Sequence, residues 1–164
     1  LGANAPITTY WSVESVPSKN LIRFGTYGRG IWDYYLETPG FFPYGELRSG
    51  ANTLTLSADT APVIGQNVQL TISGAPANAN GRIGVSTQSQ DMAYMSGTLL
   101  VDITQIALEL STHANSMGVA QVNVTVPNNP NFVGREFYLQ AMAMDASQPN
   151  GQAFSQGLRA VVGD

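Results

Sequence analysis

Cysteine is absent from the 164 residues, which excludes disulfides, thiolate nucleophiles and cysteine-ligated metals together. A single histidine, His113, leaves no two-histidine metal site and at most one place for a Ser/His arrangement. Charge is scarce as well: 11% of residues are charged, against about 25% in an ordinary soluble domain. The basic residues, Lys19 and scattered arginines, form no stripe, so neither nucleic acid nor an anionic membrane is expected as a partner. The longest apolar clusters, 31–36 and 137–144, are interrupted by polar residues and fall well short of the roughly 18–20 residues of a transmembrane helix. The opening Leu1-Gly2-Ala3-Asn4 has no initiator methionine and no basic n-region. The chain is therefore expected to begin after processing or within something larger.

What is present is neutral polarity. Asn, Gln, Ser and Thr number 48 against 18 charged residues, so the surface must be polar yet mostly uncharged. A chain of this length buries about 69% of its unfolded surface, enough for one core or for one domain with an appendage. Short alternating runs are separated by Gly, Pro, Asn and Asp clusters, the pattern of an all-β chain. Candidate strands cover 8–14, 21–27, 30–36, 53–57, 67–73, 82–87, 99–102, 106–111, 120–126, 135–145 and 153–162. In Val68-Gln69-Leu70-Thr71-Ile72-Ser73 and in Val122-Asn123-Val124-Thr125-Val126 apolar and polar residues alternate, which buries one face and wets the other. Ile103, Ile106, Ala107 and Leu110 could share a helical face, but the segment also fits a strand. The prolines of Val126-Pro127-Asn128-Asn129-Pro130-Asn131 predict a crossing between sheets or an edge cap. The Asn150-Gly151 pair predicts a hairpin joining the last two strands, and 74–81 reads as a loop. The expected fold is an antiparallel β-sandwich of about 7–9 strands.

A change in composition divides the chain near 38–50. Tyr10, Trp11, Phe24, Tyr27, Trp32, Tyr34 and Tyr35 concentrate seven aromatics, with both tryptophans, in 26 positions. Phe41, Phe42 and Tyr44 follow in a Pro/Gly-punctuated stretch, and residues 51–164 hold only five more. Three parts are expected: an aromatic β-hairpin element over 1–37, a connector over 38–49 and a β-sandwich over 50–164.

The run from Leu21 to Tyr34, with Gly25-Thr26-Tyr27-Gly28-Arg29-Gly30 at its centre and Trp32 beyond it, resembles the closing hairpin of a blade in secreted bacterial Asp-box β-propellers of the sortilin-like and sialidase-like kind. Gly28 and Gly30 suit a tight turn, and Arg29 can lie over an aromatic ring. The resemblance implies that Trp32 packs between neighbouring blades. The Asp-box itself, Ser-x-Asp-x-Gly-x-x-Trp, is absent, so any ligand site of such a propeller would lie outside this chain. The second half is similar to C-terminal β-sandwich modules appended to large secreted bacterial proteins. That similarity rests on Leu70 to Pro76, on Val126 to Gly134 leading to Phe137-Tyr138-Leu139-Gln140-Ala141, and on Phe154 to Gly163. Together the two imply a secreted, non-catalytic appendage at the C-terminal end of a propeller protein.

No constellation for catalysis stands out. His113 lies in the polar run 111–116 and reads as a solvated loop histidine. Asp91, Asp102, Glu109, Glu136 and Asp145 are widely separated and read as surface acids, although paired carboxylates of glycosidases can be as distant in sequence. The loop 145–150 offers oxygens suited to calcium but lacks dense alternating acids, so turn chemistry is the preferred reading. Asn123-Val124-Thr125 matches a glycosylation acceptor inside a strand. The glycines at 25, 28 and 30 precede an aromatic strand rather than a helix, so they make no phosphate loop.

Tyr10, Trp11, Tyr27, Arg29, Trp32, Tyr34, Tyr35, Phe41 and Phe42 are the candidate contact residues, either as a protein interface or as a sugar-stacking platform. The expected function is a non-catalytic extracellular or cell-surface module for adhesion, assembly or attachment. Its expected partner is protein, through self-assembly or an upstream propeller. The alternative is a carbohydrate-binding accessory module of a secreted glycoside hydrolase, with polysaccharide as partner. No catalytic residue, metal or cofactor is expected.

Overall fold

Short runs of β-branched and aromatic residues, cut by glycine and proline, leave extended strands as the favourable local structure. A computed structural model describes residues 8–16, 21–35, 38–45, 53–95 and 97–164, with Leu21 and Tyr35 described by their backbone alone. The chain is all-β and divides into two units between Thr38 and Pro39.

The first unit is a three-stranded antiparallel sheet, β1 (Tyr10–Val16), β2 (Leu21–Thr26) and β3 (Gly30–Tyr35), in that spatial order. Gly28 and Gly30, at φ of 76° and 79°, make the β2–β3 turn that residues with a Cβ would resist. Thr26 Oγ1 donates to the Gly30 carbonyl across it at 2.6 Å. The register shifts between Tyr10 and Ser12, leaving Trp11 as the extra residue of a bulge.

The second unit contains eleven described strands. The main sheet runs β10 (Ile106–His113), β7 (Asn80–Ser86), β12 (Glu136–Met144), β14 (Gly157–Val161), β4 (Gly40–Tyr44), with β13 (Gln152–Phe154) also on β12. Facing it is a smaller sheet, β11 (Ala120–Thr125), β6 (Asn67–Ser73), β5 (Thr55–Ala58). The expected sandwich is this pair of sheets. Its core joins Leu54, Leu56, Val68, Leu70 and Ile72 to Ile83, Leu139, Ala141, Leu158 and Ala160. Each buried Leu, Ile or Val side chain contributes roughly 1.5–3 kcal/mol relative to exposure. The smaller sheet's other face carries only neutral polar side chains, laddered across strands by Gln121 to Gln69, Gln69 to Asn123 and Thr125 to Asn67.

Several elements differ from the sequence reading. Residues 40–44, expected as connector, form the edge strand β4. Pro43 is tolerated there because β4 has only β14 as a neighbour and can leave a missing donor on its open side. The run 153–162 is interrupted at Ser155, whose Oγ accepts from the Ala141 amide at 2.9 Å in place of a ladder bond. Ile103–Gln105 is a 3-10 turn and Ile106–His113 a strand, so no helix forms there. His113 ends β10, opposite Asn80, rather than lying in a loop. The strand expected at 99–102 is part of β9 (Gly97–Val101), every residue of which is buried, and the unassigned stretch before it forms its hairpin partner β8 (Ser89–Tyr94). The crossing expected at 126–131 does connect the two sheets, and Gly151 supports the β12–β13 hairpin with φ 68°.

Candidate functional site

Register sorts the first unit's side chains. Phe24 is paired with Val13 on one side and Trp32 on the other, and Ile22 with Ser15 and Tyr34. Tyr10 sits opposite Thr26 and its ring meets Phe24 edge-on at 5.7 Å. One face of the sheet thus gathers Tyr10, Val13, Ile22, Phe24, Trp32 and Tyr34. Three of these stay well exposed: Val13 at 65%, Tyr34 at 50% and Trp32 at 43%. The opposite face has the charged row Glu14, Arg23, Asp33. Arg23 grips Asp33 with two bonds of 2.6 and 2.8 Å, a bidentate pair that fixes the β2–β3 register.

The remaining candidates of this unit lie around its turn. Trp11, pushed out by the bulge, meets the Tyr27 ring at 5.4 Å, and both are largely exposed. The Arg29 carbonyl accepts from the Trp32 indole Nε1 at 3.0 Å, anchoring that ring to the turn. Tyr35 lies opposite Leu21, and its side chain is outside the description.

Phe41 and Phe42 belong to the second unit. Alternation on β4 sends Phe41 against the sandwich core and Phe42 to the other face, where the Arg159 guanidinium lies 5.2 Å from its ring centre. Phe41 is therefore a core-packing residue, not part of an exposed platform. The guanidinium over a ring here is that of Arg159, whereas the expectation named Arg29.

The acids are occupied locally. Glu136 accepts from Arg159 at 2.8 Å and from the Tyr138 hydroxyl at 2.5 Å. Glu109 pairs with Arg82 at 3.3 Å, while Asp102 caps the 3-10 turn through Thr104. Asp91 lies exposed on β8. Asp145 accepts from the Ser147 hydroxyl at 2.6 Å, the Ser147 amide and Gln148, and these bonds, the hydroxyl's foremost, lower its pKa. Turn chemistry thus engages the Asp145 carboxylate, one of the oxygens considered for calcium. His113 Nδ1 lies 2.9 Å from Asn80 Oδ1, and no group of three or more metal-ligating side chains assembles among the described residues.

Sequence reading missed a buried polar node. Gln140 projects from the outer face of β12, where its Oε1 accepts from the Leu100 amide at 2.9 Å. Its Nε2 donates to the Thr98 and Ser155 carbonyls at 2.8 and 2.9 Å. Tyr44 adds a 2.6 Å bond to the Leu100 carbonyl; burial, then Tyr138, pushes its pKa above the usual phenol range. These bonds hold β9 over the main sheet as a third layer. A glutamine inside an apolar run was the available signal.

Compared with known proteins, the chain matches no family model and no curated protein sequence.

Proposed function

We propose that this chain is a non-catalytic extracellular module that acts in adhesion, assembly or cell-surface attachment, with the aromatic face of β1–β3 as its contact surface. The observation carrying this reading is the set of large apolar side chains, Val13, Trp32 and Tyr34, left exposed on one face of a small sheet. A three-stranded sheet needs a partner for such a face. The edge strands β1 and β3 add backbone groups able to pair with another chain. The resemblance of 21–34 to a closing propeller-blade hairpin supports the same reading, with an upstream propeller or a second copy as the protein partner.

Carbohydrate binding is the second reading, favoured by Trp32 and Tyr34 standing two residues apart on one strand face, both exposed. Sedimentation velocity over a concentration series separates the two. The double variant Trp32→Ser/Tyr34→Ser is expected to lose concentration-dependent assembly while keeping its β-sheet circular dichroism. Assembly persisting in that variant counts against the aromatic face. Retention of the intact chain, but not the variant, on insoluble cellulose or chitin would transfer the function to sugar stacking.

A further inference from the structure

The sandwich is not closed equally along its two sides. At the β5 side, Leu54 bonds to Phe154, and Gln156 bridges both backbone groups of Leu56, its Oε1 accepting from the amide at 3.3 Å and its Nε2 donating to the carbonyl at 2.7 Å. At the other side the edge strands β10 and β11 are linked through Ala114 and Ala120, both buried. From there they diverge. From Ala114, just past β10, back along the strand the inward-facing residues become progressively wetter: Ala114 is 2% exposed, Leu110 half-buried, and Leu108 43% exposed although its register partner Val85 packs against the core.

The space behind Leu108 is a cleft of about 350 Å³ between the two sheets, lined among others by Phe41, Val85, Val124, Phe132 and Phe137. Thr125 borders it, but its side chain belongs to the outer face of the small sheet, where the hydroxyl donates to Asn67 at 2.6 Å, and the other lining residues are all apolar. No charged side chain lines it. A cavity of this size falls in the range of small-ligand sites. With so little polar lining, water gains few hydrogen bonds there, whereas an apolar molecule gains contact on every side.

We propose that this inter-sheet cleft is a binding site for one flexible hydrocarbon chain, the apolar part of a lipid-like amphiphile, entering beside Leu108 with its polar end left in solvent. The lining carries no charge to select an ionic group, so hydrocarbon length and shape govern recognition. An added β-strand fits poorly, because β10 and β11 are shut at Ala114 and Ala120 and the gap occupies one end alone.

The test is a titration of the full chain, methyl-labelled at Ile, Leu and Val, with 1-decanol, read by NMR. Saturating shifts are expected at Leu108, Val85 and Val124, with the melting temperature rising as ligand is added. Leu108→Trp, at an exposed position, fills the mouth and is expected to weaken decanol binding by about tenfold or more, through lost apolar contact. Ala107→Trp, on the neighbouring exposed lining position, serves the same purpose should Leu108→Trp misfold. Three results would overturn the proposal: decanol shifting residues of β1–β3 instead, affinity unchanged in a folded cleft variant, or the same methyls shifting with protein concentration alone. The last would make the cleft a seat for a second copy.

Discussion

The two units place apolar side chains in opposite ways. In the sandwich, aliphatic residues on facing sheets close upon each other, and Ile72, Ile83 and Leu56 are almost wholly buried. In the β1–β3 sheet, aromatic residues occupy one face and several of them stay exposed. Branched aliphatic side chains interlock at close packing but offer little beyond area. Aromatic rings carry large contact area on few rotatable bonds, and Tyr and Trp keep a polar tip, which suits a surface that meets something else. The difference teaches that alternation alone marks a sheet with one apolar face, whereas the residue type on that face indicates whether it serves closure or contact.

The largest expected effect comes from breaking the closed half. Ile72→Ala is expected to destabilise the sandwich by about 2–5 kcal/mol, through lost burial and the cavity left behind. Chemical denaturation followed by far-UV circular dichroism measures it. Trp11 and Trp32 both lie in the β1–β3 sheet, so tryptophan emission recorded in the same titration reports that sheet. A matching shift in its transition would break the division drawn above.

Gln140→Leu is expected to cost about 1–3 kcal/mol, because the Leu100 amide and the Thr98 and Ser155 carbonyls lose a buried partner. Hydrogen exchange at β9 is the sharper measurement, since the third layer should open while the two facing sheets remain protected. Exchange rising equally in β6 would mean that the hairpin and the core form one cooperative unit.

Asp145→Asn should have the smallest effect. The Asp145 pKa is lowered by the bonds of its own turn. Its contribution is therefore present above the carboxyl range and disappears as pH falls through its folded-state pKa. Wild type is expected to be the more stable at neutral pH, with the two proteins converging in acid below about pH 4. Thermal melts across that interval provide the check.

Legibility in the sequence followed how locally each structure is determined. Strict alternation located β6 and β11, and Gly28, Gly30 and Gly151 marked the β2–β3 and β12–β13 turns, because these features depend on neighbours in the chain. Of the β8–β9 hairpin only the second strand was legible, because Ser89-Gln90-Asp91-Met92-Ala93-Tyr94 has no clear apolar face of its own. The hairpin is held by Gln140, which is distant in sequence. Proline obscured β4, since Pro43 is compatible with an edge strand but not with a central one. The aromatic cluster was legible as composition. Its division into Trp32 and Tyr34 on one sheet and Phe41 in another unit's core needed the register. The cleft beside Leu108 was not legible, because it arises where two edge strands diverge.

The neutral ladder on the outer face of the small sheet has a consequence for behaviour in different media. Amides and hydroxyls from Asn67, Gln69, Gln121, Asn123 and Thr125 satisfy one another across β6 and β11 without a formal charge. Ions screen charges and have little hold on such dipoles. Any contact made through this face should therefore depend little on ionic strength, unlike one made through paired charges.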